Sequence, residues 1–364
     1  MNLCDLAPDY IRDIAPYQPG KPIAELAREM GLQEASIIKL ASNENPLGIS
    51  PAALAAIEAA LPDLSLYPDG TGYALKRAIA EKFGVKLEQI VLGNGSNDVL
   101  EFMARTFLRP GLDAIYSQHA FAVYPLVVKA IGAHGIEVAA KNFGHDLQAM
   151  RAAVTPTTRI IFIANPNNPT GTYIPAVALH AFLKSLPENI LVVLDEAYTE
   201  YLSPQNASQS MTWLNEFPNL VISRTFSKAF GLAGLRVGFG IAHTDLIAMM
   251  NRVRQPFNVN SLALAAAEAA LNDDDFVLRS YALNQAGMAQ LLAGFRGLGL
   301  EHIPSFGNFV SVKVGNAAGV YQKLLRSGVI VRPVASYGMP EYLRVTVGLQ
   351  QQNQTFLAAL KRAL

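Results

Sequence analysis

The sequence predicts an α/β protein with a large domain on a mostly parallel sheet and a smaller α+β domain after it. Three observations predict this. Seven short β-rich runs alternate with stretches of helical spacing through the middle of the chain. Runs such as Ile190-Leu191-Val192-Val193-Leu194 are apolar at every position, as strands buried on both faces are. In the last third the strands are no longer separated one for one by helices.

In chain order, residues 1–50 are rich in proline and lack strong periodicity, so they are expected to pack on the small domain rather than fold alone. Residues 51–260 form the large domain. Its strands are expected at Gln89–Leu92, Ala114–Tyr116, Ile136–Val138, Arg159–Ala164, Ile190–Leu194, Leu220–Ile222 and Val237–Ile241, a seven-stranded sheet. Helical spacing marks Asp98–Leu108, Ala122–Ile131, Leu147–Ala153 and Ala176–Leu186. Residues 261–364 form the small domain, reached through a long helix over 274–298. Its strands are expected at Phe309–Val314, Val329–Val331 and Tyr342–Val347, its helices at Ala317–Leu325 and Thr355–Leu364.

Composition narrows the function. The 364 residues are 51% hydrophobic, enough for a sizeable core, and 29 basic residues balance 29 acidic ones. Nothing in that balance favours nucleic acid or an anionic membrane. One cysteine, Cys4, allows no internal disulfide framework, and the six histidines lack metal-ligand spacing. No apolar run approaches the ~20 residues of a membrane span. The acidic start of the chain has no signal-like apolar core, so a cytoplasmic protein is expected.

Four motifs carry chemistry. Gly93-Asn94-Gly95-Ser96-Asn97-Asp98 follows an apolar run and opens a helix, where unsatisfied amides suit phosphate. Asp98 stands where a dinucleotide fingerprint has its third glycine. Asn165-Pro166-Asn167-Asn168-Pro169-Thr170-Gly171 is a rigid turn at a strand's carboxyl end, the edge where open α/β sheets bind ligands. Asp195, with Tyr198 three residues on, ends the most apolar strand, where a carboxylate needs a partner such as a protonated pyridine nitrogen. Finally Ser223-Arg224-Thr225-Phe226-Ser227-Lys228 leads to Arg236. Its hydroxyls and arginine suit an anion and its lysine suits a carbonyl. A lone lysine is ordinarily a solvated one, and each turn alone could be structural. Together they point to one molecule that is aldehyde, phosphate ester and pyridine at once, pyridoxal 5'-phosphate (PLP).

These residues resemble the aspartate aminotransferase-like superfamily, PLP fold type I, over nearly the whole chain. Pro16-Tyr17-Gln18-Pro19-Gly20-Lys21-Pro22, Leu40-Ala41-Ser42-Asn43-Glu44-Asn45-Pro46-Leu47-Gly48, Tyr67-Pro68-Asp69-Gly70 and Leu343-Arg344-Val345-Thr346-Val347-Gly348 bring the resemblance closest to histidinol-phosphate aminotransferases. The resemblance implies that Lys228 is the Schiff-base lysine and proton shuttle, that Asp195 pairs with the ring nitrogen, and that Asn168 and Tyr198 bond the ring oxygen. It implies that Ser96, Asn97, Thr225, Ser227 and Arg236 hold the phosphate and that Phe121 stacks on the ring. The family usually has proline where this chain has His119. Tyr67 resembles the tyrosine that reaches a neighbouring subunit's PLP, which implies a homodimer. Arg344 resembles the substrate anion clamp, with Arg332, Tyr17 and Asn308 as further pocket residues.

The implied reaction is ping-pong transamination between histidinol phosphate with 2-oxoglutarate and imidazole acetol phosphate with glutamate. An aromatic amino acid aminotransferase is the near alternative, since phenylalanine and tyrosine also set a flat ring beside an amino carbon. A phospho-amino acid decarboxylase is a second. A PLP-binding transcriptional regulator would need a DNA-binding domain and basic charge, neither of which the sequence shows.

Overall fold

The computed structural model describes residues 2–364. Twelve strands occur in order: β1 Ile38–Lys39, β2 Ile90–Gly93, β3 Asp113–Ser117, β4 His134–Val138, β5 Thr158–Ala164, β6 Leu191–Asp195, β7 Leu220–Thr225, β8 Gly238–Ala242, β9 Phe309–Lys313, β10 Val329–Ile330, β11 Arg332–Pro333 and β12 Tyr342–Thr346. Seven form the large sheet in the order β2-β8-β7-β6-β5-β3-β4. β8 alone runs antiparallel to its neighbours. The other pairings are parallel, so the carboxyl ends of β3 to β7 face one edge.

β6 is buried at every position, as are all but one of the residues of β5. Their alternate side chains feed two apolar clusters, one on each sheet face. Phe162 and Val193 point to one, Ile161 and Leu194 to the other. Burying both faces removes water from the strands and leaves the open strand ends as the polar place to bind.

The small domain sets β11-β12-β9, an antiparallel sheet, against helices Asp274–Gly297, Ala317–Arg326 and Gln350–Ala363. Phe295, Leu324, Val345 and Phe356 meet in its core. The run read as a single strand over Val329–Val331 is split. Val329 and Ile330 pair in parallel with β1, and after Val331 the chain pairs Arg332 and Pro333 with β12. Val329 to Val331 are all apolar and buried, so composition does not reveal where the change of partner comes.

The first 50 residues divide as well. Leu26 and Ala27 pack on Leu325 and Ile330 of the small domain. Earlier residues lie against the large one: the Lys129 ammonium donates to the Asp13 carbonyl at 2.7 Å, and the Tyr10 ring covers Gly132. No helix is long and apolar enough to cross a membrane, and no cluster of three metal-ligating side chains occurs, among the described residues.

Candidate active site

The carboxyl edge of the large sheet, the segment 41–44 and the β11–β12 pair enclose a cavity of about 280 Å³. Thirteen of the residues singled out in the sequence line it: Tyr17, Ser96, Asn97, Phe121, Asn168, Asp195, Tyr198, Thr225, Ser227, Lys228, Arg236, Arg332 and Arg344. Two do not. Asn308 is buried behind the wall, its amide donating to the Asn43 carbonyl at 2.9 Å, because that carbonyl has no strand partner to satisfy it. Tyr67 is 83% exposed and stacks on Phe257 at 4.8 Å, outside this chain's cavity.

Each side chain is placed by its element. β6 ends at Asp195, which is 5% exposed. One carboxylate oxygen accepts the Tyr124 hydroxyl at 2.9 Å, and the other has no partner. Burial pushes the Asp195 pKa up to about 6, against the opposing pull of Tyr124. The Tyr124 ring is itself fixed by stacking on Phe162 at 5.0 Å. Beyond the strand, the Tyr198 hydroxyl accepts the Asn43 amide at 2.9 Å, and burial raises this phenol to about 12. The Asn-Pro turn uses two asparagines on itself. Asn165 bonds both backbone groups of Ile174, and Asn167 bonds Thr170. Asn168 is thereby the one turned into the cavity, where it accepts from Arg344 at 2.5 Å.

β7 runs to Thr225, further than its apolar stretch, and so carries that hydroxyl to the strand end. The loop to β8 then holds both Lys228 and Arg236. The Lys228 ammonium donates to the Ser42 carbonyl at 3.1 Å and lies 5.8 Å from the centre of the Tyr198 ring. Burial first, then Arg344, lower its pKa to about 8. Arg236 adopts a left-handed backbone, φ 57°, and donates to the Ser227 hydroxyl at 3.3 Å. A Cβ at Gly95 would stand 2.3 Å from the Arg236 guanidinium, so the glycine lets that cation reach the start of helix Ser96–Phe107. Asp98, in place of a third glycine, accepts the Asn94 amide at 2.8 Å and so fixes the turn.

The pieces fit PLP. The unpartnered buried oxygen of Asp195 suits a protonated ring nitrogen. The helix start, Thr225, Ser227 and Arg236 form an anion cradle. Lys228 offers an amine whose proton is readily lost. Among the lining residues, sequence reading had missed a role for Asn43 and Ser42, and behind them for Tyr124. The apolar-then-polar segment Leu40 to Asn45 was the available signal for the first two.

At the far end, Arg332 and Arg344 are directly opposed on the β11–β12 ladder. Their partners are all neutral: Arg344 donates to Asn168 and the Ala41 carbonyl, Arg332 to the Gln18 carbonyl at 2.7 Å and the Tyr17 hydroxyl at 3.4 Å. Two buried cations side by side without a carboxylate await an anion.

Fold and site together define a PLP-dependent aminotransferase of fold type I. Residues 35–360 match the family model for aminotransferase class I and II. Histidinol-phosphate aminotransferase 2 of Nitrosospira multiformis is 63% identical over all of this chain and 93% of its own length. Histidinol-phosphate aminotransferase 1 of Thiobacillus denitrificans is also 63% identical, over all of this chain and 96% of its own. The crystal structure of the Sinorhizobium meliloti histidinol-phosphate aminotransferase with pyridoxal-5'-phosphate superposes with a TM-score of 0.89 at 27% identity, covering 98% of this chain and 96% of that one. The chain belongs to the histidinol-phosphate aminotransferases within this class.

Proposed function

We propose that this chain transfers an amino group between histidinol phosphate and 2-oxoglutarate, with PLP held as the sequence implied. The observation that carries the choice of substrate is the opposed pair Arg332 and Arg344. A phosphate dianion neutralises both, and the side-chain carboxylate of glutamate can use the bidentate fork of one. The relatives' names favour histidinol phosphate over aromatic amino acids.

PLP, when bound, supplies an aldehyde that accepts the amino group and a ring that draws electrons from the substrate's α-carbon. Asp195 would hold a proton on the ring nitrogen. Tyr198 and Asn168 would bond the ring oxygen, Phe121 would stack on the ring, and Ser96, Asn97, Thr225, Ser227 and Arg236 would hold the phosphate. Lys228 Nζ moves the proton of the α-carbon; a pKa of about 8 leaves it a workable base near neutrality. Tyr17 lies under Arg332, 5.5 Å from ring centre to guanidinium, and closes the substrate end.

We read the working form as a cytoplasmic homodimer in which Tyr67 reaches the neighbour's cradle. Leu64, Leu66, Tyr67, Tyr73 and Phe257 are exposed apolar residues, Tyr67 stacks on Phe257, and Asn97 and Arg236 are exposed too, which supports cover by a second copy.

The test is single-turnover absorbance of the PLP form, mixed separately with histidinol phosphate and with phenylalanine. Much faster loss of the cofactor's visible band with histidinol phosphate is expected. Equal or faster loss with phenylalanine would overturn the assignment.

A further inference from the structure

Tyr337 has no part in the site described so far, yet it lines the same cavity. It ends a short turn, Ala335–Tyr337, that follows directly on β11 and Arg332. The residue is 8% exposed. Ile303, Val334 and Met339 of the small domain surround it, and Ala122 and Phe143 of the large domain pack on that cluster. Burial raises its phenol pKa, while Arg344 and Arg332 pull the other way. The hydroxyl therefore keeps its proton at neutral pH and sits in the field of both arginines. A protonated phenol has one hydrogen to donate to an acceptor placed beside it. The charged groups that act on it, Arg344 and Arg332, are cations and offer none.

His119 holds this arrangement from the opposite domain. It lies in the turn between β3 and helix Val123–Ala130, with φ 55°. The Asn167 amide donates to its carbonyl at 2.9 Å. Its ring nitrogen Nδ1 bonds the Tyr337 carbonyl. A carbonyl only accepts, so Nδ1 carries the hydrogen. Gly338 follows, in left-handed conformation, and a Cβ there would come within 3.3 Å of His119 Cε1. The glycine lets the imidazole close on the backbone. One turn of the large domain thus presents Phe121 to the cofactor side and, through His119 and Ala122, fixes Tyr337 on the substrate side.

We propose that Tyr337 is a third donor to the anionic end of the substrate, beside Arg332 and Arg344, and that His119 is the positioning residue that holds it there. The inference rests on the reading of the two arginines as the anion clamp. The three terminal oxygens of a phosphate can accept from more donors than two guanidinium forks supply, so a neutral O–H in the same cavity adds a bond without adding charge.

The test is steady-state kinetics of the PLP-loaded enzyme with histidinol phosphate and with histidinol, which lacks the phosphate. Tyr337→Phe keeps the ring and removes the hydroxyl. It should lower the preference for histidinol phosphate over histidinol roughly ten- to a hundredfold, the worth of one hydrogen bond to a charged group, mainly through KM. His119→Ala should shift the preference the same way, and His119→Asn, whose amide can donate to the same carbonyl, should restore it. Adding His119→Ala to Tyr337→Phe should change the preference little further. An unchanged preference in Tyr337→Phe, or equal losses on both substrates, overturns the proposal. A parent enzyme with no preference for histidinol phosphate overturns the anion-clamp reading instead.

Discussion

Arg332→Gln separates what the arginine pair does for the fold from what it does for the substrate. The two side chains spring from directly opposed ladder positions. Guanidiniums ~6–8 Å apart, at an effective dielectric of about 20, repel by roughly 2–3 kcal/mol. The substitution removes that repulsion. It also removes a cation over the ring of Tyr17, a half-exposed contact worth about 0.5–1 kcal/mol. The bond to the Gln18 carbonyl was charge-assisted, worth roughly 1.5–3 kcal/mol, and glutamine can keep part of it. These contributions nearly cancel. The substrate-free protein should keep its stability within about 1 kcal/mol, a Tm change of about 3 °C or less. The phosphate substrate, by contrast, loses a charge-assisted bond. Its kcat/KM should fall by about 10- to 150-fold. Glutamate keeps Arg344 and should lose only severalfold. Thermal melts and the two kcat/KM values check this. Equal losses on both substrates would refute the division between one arginine and two, and a large drop in Tm would refute the repulsion argument.

Further expectations concern the cofactor end. The Asp195 carboxyl, ordinarily 3.8, stands at about 6 in the cofactor-free protein. A raised folded pKa stabilises below the unfolded value, and that contribution is lost as pH rises through 6. Relative to Asp195→Asn, the cofactor-free protein should lose up to about 3 kcal/mol from pH ~4 to ~6 in denaturant titrations, and PLP should abolish the effect; a constant gap between the two proteins rejects the assigned shift. The rate of PLP uptake should climb as pH rises through about 8, where the Lys228 amine is freed, and Lys228→Ala should retain PLP loosely without turnover. A flat uptake profile from pH 7 to 9 would refute the lowered pKa. Sedimentation should give twice the mass of one chain, and Tyr67→Phe should raise the Kd for PLP roughly tenfold; a monomer would remove Tyr67 from the site.

The seven-stranded sheet and much of the cavity's polar edge were legible because Asp195, Thr225 and Lys228 follow apolar runs. Asp195 closes β6, and Thr225 and Lys228 come just after the apolar part of β7. Contacts made across long separations were not legible. Tyr124 meets Asp195 from 71 residues away, and His119 meets Tyr337 from 218. The resemblance made Asn308 a pocket residue, and nothing local says which way an amide before a strand turns; its bond to the Asn43 carbonyl decides it. The helices Pro51–Ala60 and Ser261–Leu271 were overlooked because their alanine-rich sequences show little polar-apolar contrast, and they pack on one another.

The loop from β7 to β8 carries both Lys228 and Arg236, while Arg332 and Arg344 lie on the smaller sheet. In the proposed reading one short stretch of chain measures off the two attachment points of the cofactor, and the grip on the substrate is written elsewhere. A lineage can trade one amino donor for another by changing β11, β12 and the turn after them, with the cofactor's registration inherited intact. Substrate preference and cofactor retention become separate targets for selection: variants that alter preference should cluster on β11, β12, the turn after them and the large-domain residues that touch that turn, His119 among them.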